Sequence, residues 1–246
     1  MDNLKAFFLF LILCLLPFTD TLSFSIPERL VYDLTWSGIK AGEAVLEIGV
    51  GDDGEHLLIV STARSAKWIS VFYKVDDRVE SRLMKGNQHL QLGQSLNYRL
   101  KIREGRHRRD KEVIFDPVNS KARYIDYLGK EEKEMDIPIP IFDPLASFYY
   151  LRGLDLEVGR SVFVTIFDSK KVWNVEVKVL KKEKIEVPAG EFDTIVIKPL
   201  MKSEGIFYRK GEILIWLTDD AKRIPVKLQT KVKIGSINAN LAGGSY

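Results

Sequence analysis

Apolar and polar residues alternate along most of this chain, and that pattern admits little besides strands with one buried face. Leu30, Tyr32, Leu34 and Trp36 alternate with Arg29, Asp33 and Thr35, a period of two that lines one side of a pleated ribbon. Ser37-Gly38 turns the chain into Ala44, Leu46, Ile48 and Val50, and Gly51-Asp52-Asp53-Gly54 is a second turn signal. Leu58 and Val60 continue the pattern, and Val75, Asp77 and Val79 begin a further stretch. Leu96, Tyr98, Leu100 and Ile102 interleave with Asn97, Arg99, Lys101 and Arg103, and Lys111 to Phe115 reads as the return arm of that hairpin. The second half repeats the style through Val162–Ile166, Val172–Leu180, Phe192–Leu200, Ile213–Leu217 and Val226–Val232. Such spacing predicts roughly 11–13 strands in an all-β fold, a large antiparallel β-roll or half-open barrel.

One helix interrupts the pattern. Asp143 suits an N-cap, Pro144 the first helical position and Gly153 the exit. Leu145, Ala146, Phe148, Tyr149, Tyr150 and Leu151 place apolar side chains all round it, so the segment 144–153 is expected to be surrounded by protein. A shorter helix is expected near 66–73, around Trp68, Ile69, Val71 and Phe72. No linker or repeat divides residues 24–246, which read as one domain.

The N-terminal residues address the compartment. Lys5 precedes an unbroken apolar run from Ala6 to Leu16, shorter than the roughly 20 residues that span a bilayer and matching the core of a secretory signal. Thr21 and Ser23 put small residues at −3 and −1 of a cut before Phe24, so residues 1–23 are expected to be a signal peptide and the periplasm the destination. An uncleaved N-terminal anchor is the alternative. Cys14 is the single cysteine. No small residues precede it, which argues against lipidation, and its removal would leave no thiol for a disulfide, metal site or nucleophile.

Four stretches together resemble an exported bacterial family, domain of unknown function 3108. They are Leu30-Val31-Tyr32-Asp33-Leu34-Thr35-Trp36-Ser37-Gly38 with Ala41-Gly42-Glu43-Ala44, Asp143-Pro144-Leu145-Ala146-Ser147 with Tyr150-Leu151-Arg152, Val187-Pro188-Ala189-Gly190-Glu191-Phe192, and Ile215-Trp216-Leu217-Thr218-Asp219-Asp220 with Arg223 and Pro225-Val226. The resemblance implies a periplasmic β-rich fold, similar in style to the rolled or half-barrel sheets that handle lipoproteins. It implies no activity and no catalytic residues.

Motifs for catalysis are missing. His56, His89 and His107 are too far apart for the short-range metal-ligand spacings. Neither a Gly-x-Ser-x-Gly elbow nor a phosphate-binding loop occurs. Asp76-Asp77 and Asp219-Asp220 are adjacent pairs, and neighbours in a strand point to opposite faces, while aspartates at a turn serve their own backbone. No catalytic residue, metal ligand or cofactor is therefore expected. Glu131-Glu132-Lys133-Glu134 reads as a solvated loop.

Lys101, Arg103, Arg106, Arg108, Arg109 and Lys111 cluster around one hairpin tip. They form either a solvated hairpin or a patch for anionic headgroups. Nucleic acid is disfavoured by the compartment and by the lack of stacking aromatics between the cations. A sheet of more than about eight strands leaves interior space to be filled, and the helix at Pro144 is the natural filler, either as a permanent plug or as a mobile occupant beside a ligand. On this reading the chain binds a lipid or other amphipathic ligand, with peripheral membrane contact, and Trp36, Trp68, Phe148, Tyr149, Trp173 and Trp216 border the pocket. For any single tryptophan, ordinary core is the simpler reading. The alternative is a protein–protein module with an envelope partner, and an envelope glycan or peptide hydrolase is the third reading.

Overall fold

The computed structural model describes residues 24–86, 92–200, 212–231 and 235–246. The expected signal peptide and His89 lie outside these. Eight strands run in the first half: β1 (Glu28–Trp36), β2 (Ile39–Val50), β3 (His56–Ser65), β4 (Asp76–Lys85), β5 (Leu92–Glu104), β6 (His107–Asp116), β7 (Lys121–Asp126) and β8 (Glu131–Asp136). Six follow the central helix: β9 (Ser161–Asp168), β10 (Lys171–Val187), β11 (Gly190–Pro199), β12 (Ile213–Thr218), β13 (Pro225–Lys231) and β14 (Ser236–Ser245). Helix α1 is Lys67–Ser70 and helix α2 is Pro144–Arg152.

All fourteen strands belong to one antiparallel sheet in which sequence neighbours pair, and β1 pairs β14 to join the two halves. The sheet curls without closing, with β8 and β9 as its edges. Phe142 forms a parallel bridge to Ile166 of β9, Phe115 packs edge-on against Phe167 at 5.9 Å, and Lys170 reaches Glu131 at 3.0 Å. These contacts hold the two edges near each other at the seam of a half-open barrel.

The expected strand count falls short because β8 reads as loop in the sequence. Its residues, Glu131 to Asp136, are nearly all exposed, so no burial pattern marks them, and pairing to β7 alone makes them a strand. An edge this charged resists pairing with other chains. In β3 the buried pair is Leu57 and Ile59 rather than Leu58 and Val60; a run apolar on both faces leaves the inward set undefined by alternation. The short helix is narrower than expected, and Val71 and Phe72 follow it as exposed loop residues.

Helix α2 lies inside the curled sheet and is fixed at both ends by buried polar groups. At its start, Asp143 accepts from the amides of Leu145 (2.9 Å) and Ala146 (3.0 Å). Its other carboxylate oxygen accepts from the hydroxyls of Ser81 on β4 and Ser95 on β5, both at 2.6 Å. At its end, Arg152 makes two 2.7 Å bonds to Glu28 of β1 and one of 3.1 Å to the carbonyl of Lys222. Its guanidinium lies over the rings of Phe24 and Tyr149, at 4.6 and 5.1 Å. Both charges also match the helix dipole, negative at the N-terminus and positive at the C-terminus.

Two faces of α2 do different work. Ala146, Tyr149 and Arg152 are fully buried and pack against Phe24, Leu30, Tyr32 and their neighbours. Leu145, Phe148 and Leu151 face the other way. The spacing of three within each set keeps it on one side of the helix.

Breaking the buried pair strands a charge. Glu28→Gln should cost roughly 3–5 kcal/mol in urea unfolding, whereas Glu28→Leu with Arg152→Met should cost less than either single change. Equal or additive costs would show that the pair is not a unit. Burial, the largest influence, holds the Asp143 carboxyl above its ordinary value, against the opposing bonds from Ser81, Ser95 and the two amides. A folded carboxyl that holds its proton more tightly contributes stability fully below the unfolded value, about 3.9, and loses it as pH rises through the folded value. Asp143→Asn removes this titration, so the variant's stability relative to the parent should improve as pH rises above about 4. A flat difference above that pH would refute it.

Candidate functional site

The strand directions place two kinds of connection on one rim of the roll: the hairpin turns after β1, β5, β7 and β9, and the α1 segment between β3 and β4. Between this rim and α2 the sheet encloses a cavity of about 580 Å³. Its floor is the outward face of α2, with Leu145, Ser147, Phe148 and Leu151. Leu46, Val79 and Ile102 line one wall, and Val164, Ile166, Val175, Val177, Ile213 and Ile215 the other. Ser61 and Ala63 on β3 are small, which leaves room where larger side chains would close the space.

Alternation explains the lining. Leu46, Ser61, Val79 and Leu100 stand opposite one another in successive strands, so they share the concave face. The next row toward the rim pairs Ala63 with Asp77 and Ile102 with Arg109. The last pairs Glu104 with His107. The wall therefore changes from apolar to polar as it nears the rim, where Tyr73, Asp77, Glu104, His107 and Arg109 form the mouth.

Several contacts hold the mouth in place. Arg109 Nε donates to His107 Nε2 at 2.8 Å, which makes that nitrogen an acceptor. The amide of Arg103 donates to Asp77 at 2.8 Å, and the amide of Gly105 donates to the carbonyl of Lys74 at 2.8 Å. Gly105 has φ +55, and a Cβ there would come within 2.7 Å of the Tyr73 ring. Both the left-handed backbone and the close approach need glycine, and together they let Tyr73 rest on the hairpin tip. Tyr73 is 46% exposed and lines the cavity, so the mouth reaches solvent.

Among the residues expected to border a pocket, Phe148 lines this cavity. Tyr149 is on the opposite side of α2, in the core with Phe24. Trp216 alternates with cavity-lining Ile215, so it faces away, and its indole donates to Glu183 at 2.7 Å. Trp173 shares a face with Val175 and Val177 but sits beyond them, donating to the carbonyl of Asp168 at 3.3 Å. Trp36 and Trp68 are about half exposed on the rim. Aromatic bulk in the sequence does not say how far along a strand a side chain lies, and that decides cavity or edge.

The basic hairpin also divides by register. Arg109 lines the cavity and Lys111, on the same face, is half-buried beside Asp126 at 3.4 Å. Lys101, Arg103 and Arg108 are exposed on the opposite face, with Arg106 at the tip. The mouth residues Tyr73, Asp77, Glu104 and His107 were not singled out by sequence as a group. Period-two alternation does place Asp77, Glu104, His107 and Arg109 inward, once the inward register of each strand is known.

Among the described residues no group of three or more His, Cys, Asp or Glu side chains is arranged to hold a metal ion. His56 bonds Asp53 at 2.7 Å in the turn after β2, where that bond, with backbone amides, pulls the Asp53 carboxyl down to about 2. Asp219 and Asp220 sit in a turn: Asp220 accepts from the amides of Lys222 and Arg223, and Asp219 pairs with Lys182 and Arg223. No helix among the described residues is long and apolar enough to cross a membrane.

Comparison with one solved structure supports the fold. A β-barrel-like protein of domain of unknown function DUF1849 from Brucella abortus aligns with 89% of this chain and 97% of its own, at 14% identity and a TM-score of 0.55. A Bacteroides fragilis chain described as exported, with a YmcC-like fold, covers 92% of this chain and 98% of its own at 8% identity and a TM-score of 0.33. A Parabacteroides distasonis chain described as a lipoprotein covers 92% and 99% at 12% identity and a TM-score of 0.36. No functionally curated protein matches the sequence. The model of the family described as a protein of unknown function, DUF3108, matches residues 31–242, nearly the whole chain, and the protein belongs to that family.

Proposed function

We propose that this protein is a non-enzymatic carrier or sensor of a single-chain amphiphile in the periplasm, with the acyl portion in the cavity and the polar head at the mouth. One observation carries the reading: a cavity of about 580 Å³ whose walls pass from aliphatic beside α2 to charged at the rim. Ligand pockets typically span roughly 300–1,000 Å³ and combine apolar walls with a few convergent polar groups. The N-terminal apolar run supports the compartment.

The anchored helix bears on how the ligand enters. Moving α2 would uncover Glu28, Arg152 and Asp143, and leaving such a charge unpaired costs roughly 3–5 kcal/mol. A ligand gains more by occupying the space beside α2 than by displacing it. On this reading α2 is a fixed floor and entry is through the mouth.

Asp77, Glu104 and His107 converging at the mouth favour a second reading, hydrolysis of the bound amphiphile near its head. The bond that His107 Nε2 accepts from Arg109 ties up the nitrogen a general base would use, so binding is preferred.

The test is titration with cis-parinaric acid, whose fluorescence rises in an apolar site. Saturable uptake is expected. Ala63→Phe and Ser147→Phe, which fill the cavity from opposite sides, should each weaken uptake about tenfold or more, the loss expected when a hydrophobic site is blocked. A parent that shows no saturable uptake, or variants that bind as well as the parent, would end the proposal. Mass spectrometry of an ester analogue after incubation separates the readings, since recovery of cleaved product supports hydrolysis.

A further inference from the structure

The rim that carries the mouth also carries the most exposed aromatic and branched side chains near it. Phe72 is 87% exposed, Val71 78% and Trp68 50%, all within the α1 segment between β3 and β4. Ile39, 62% exposed, and Trp36 lie on the adjacent β1–β2 turn, which the amide of Ala66 ties to this segment through the carbonyl of Ala41 at 2.8 Å. A phenylalanine held this far out in water gains nothing from the fold, and contiguous apolar surface rimmed by polar residues marks an interaction site.

The charges around this patch name the partner. Lys67 and Lys74 flank it in sequence, and Arg106 and Arg108 stand on the neighbouring β5–β6 tip, which Gly105 bonds to Lys74. All four are exposed, and none has an ion-pair partner among the described residues. The acids of this rim are otherwise engaged. Asp33 and Glu43 pair with Lys40, Asp76 with Arg64 and Arg103, Asp126 with Lys111 and Glu131 with Lys170. Asp77 and Glu104 face the cavity. What remains is a protruding apolar loop inside a ring of uncompensated cations.

We infer that this rim docks on the surface of an anionic phospholipid bilayer, with Trp68, Val71 and Phe72 entering the interface and Lys67, Lys74, Arg106 and Arg108 among the headgroups. Tryptophan suits the interfacial layer, and each cation near an anionic surface adds attraction that salt screens. Tyr73 belongs both to this loop and to the cavity mouth, so the docked orientation would set the mouth against the lipid. The inference stands on the rim alone and holds whether or not the cavity takes a ligand.

Flotation with vesicles of phosphatidylethanolamine and phosphatidylglycerol tests it, with phosphatidylcholine vesicles as the uncharged control. The parent should float with the anionic vesicles, sink with the control, and be released by added salt. Val71→Ser/Phe72→Ser should lower partition by about tenfold or more, the change expected on withdrawing two apolar side chains from the interface. Lys67→Glu/Arg106→Glu should weaken binding to anionic vesicles selectively. Both variants alter exposed loops, so their β-type circular dichroism and unfolding midpoint should match the parent. A parent that stays unbound to anionic vesicles overturns the inference, as does a Val71→Ser/Phe72→Ser variant that floats equally well. Parinaric-acid uptake by the same variants should equal the parent's, so that a failure of docking and a failure of cavity binding are read separately.

Discussion

A helix buried inside a curled sheet has no intrinsic position, because apolar contacts are non-directional and a greasy cylinder can slide or rotate among them at little cost. In this protein two carboxylates remove that freedom. Asp143 ties the first turn of α2 to β4 and β5 through Ser81 and Ser95, and Glu28 of β1 grips Arg152 in the last turn. The helix thus spans from one part of the sheet to another, fixed at each end by bonds that specify distance and direction. The position of the core below it and of the cavity above it follows from those two anchors.

Sheet size makes such an anchor necessary. A barrel of about eight strands fills itself with its own side chains, but fourteen strands do not. Helix α2 occupies part of the excess. Its Ala146–Tyr149 face completes the core with Phe24 and Leu30, while Leu151 and Phe148 pack against the β9–β10 wall and Leu145 against the cluster around Val79, and the cavity is the space left between these contacts and the rim. Small residues opposite, Ser61 and Ala63, keep the remaining volume open. A preformed space of this kind demands little ordering from protein or ligand on binding, and this supports the reading of a binding site.

The architecture was legible because β alternation and a capped helix are local signals. Asp143-Pro144 marks the start of α2, and apolar side chains on every side of it mark burial before any contact is seen. The charged edge strand β8 was not legible, since an edge with both faces in water carries no pattern. The site divides the same way. Phe148 was readable as interior, but choosing among the aromatics needed depth along the roll, which placed Trp36 and Trp68 on the rim and Tyr149 beneath the helix. The anchor Arg152 was visible only as part of a motif, and its partner Glu28 lies 124 residues away. The basic hairpin looked like one patch in sequence; in the sheet, alternation sends Arg109 into the mouth and Arg108 to the outside.

That division bears on why a buried ion pair sits where aliphatic residues would pack well. Replacing Glu28 and Arg152 by apolar side chains of similar volume need not cost stability, so stability does not account for the pair. Position does. An apolar replacement would fill the same space yet allow α2 to settle toward the rim, where Leu145, Phe148 and Leu151 would extend the contacts they already make with the walls into the cavity. The hydrophobic effect favours that collapse, at roughly 25 cal/mol for each Å² removed from water. The charged anchors oppose it by making every displaced position leave a buried charge without its partner. On this argument the cavity persists because electrostatics at the two ends of the helix outweigh the apolar attraction along its length.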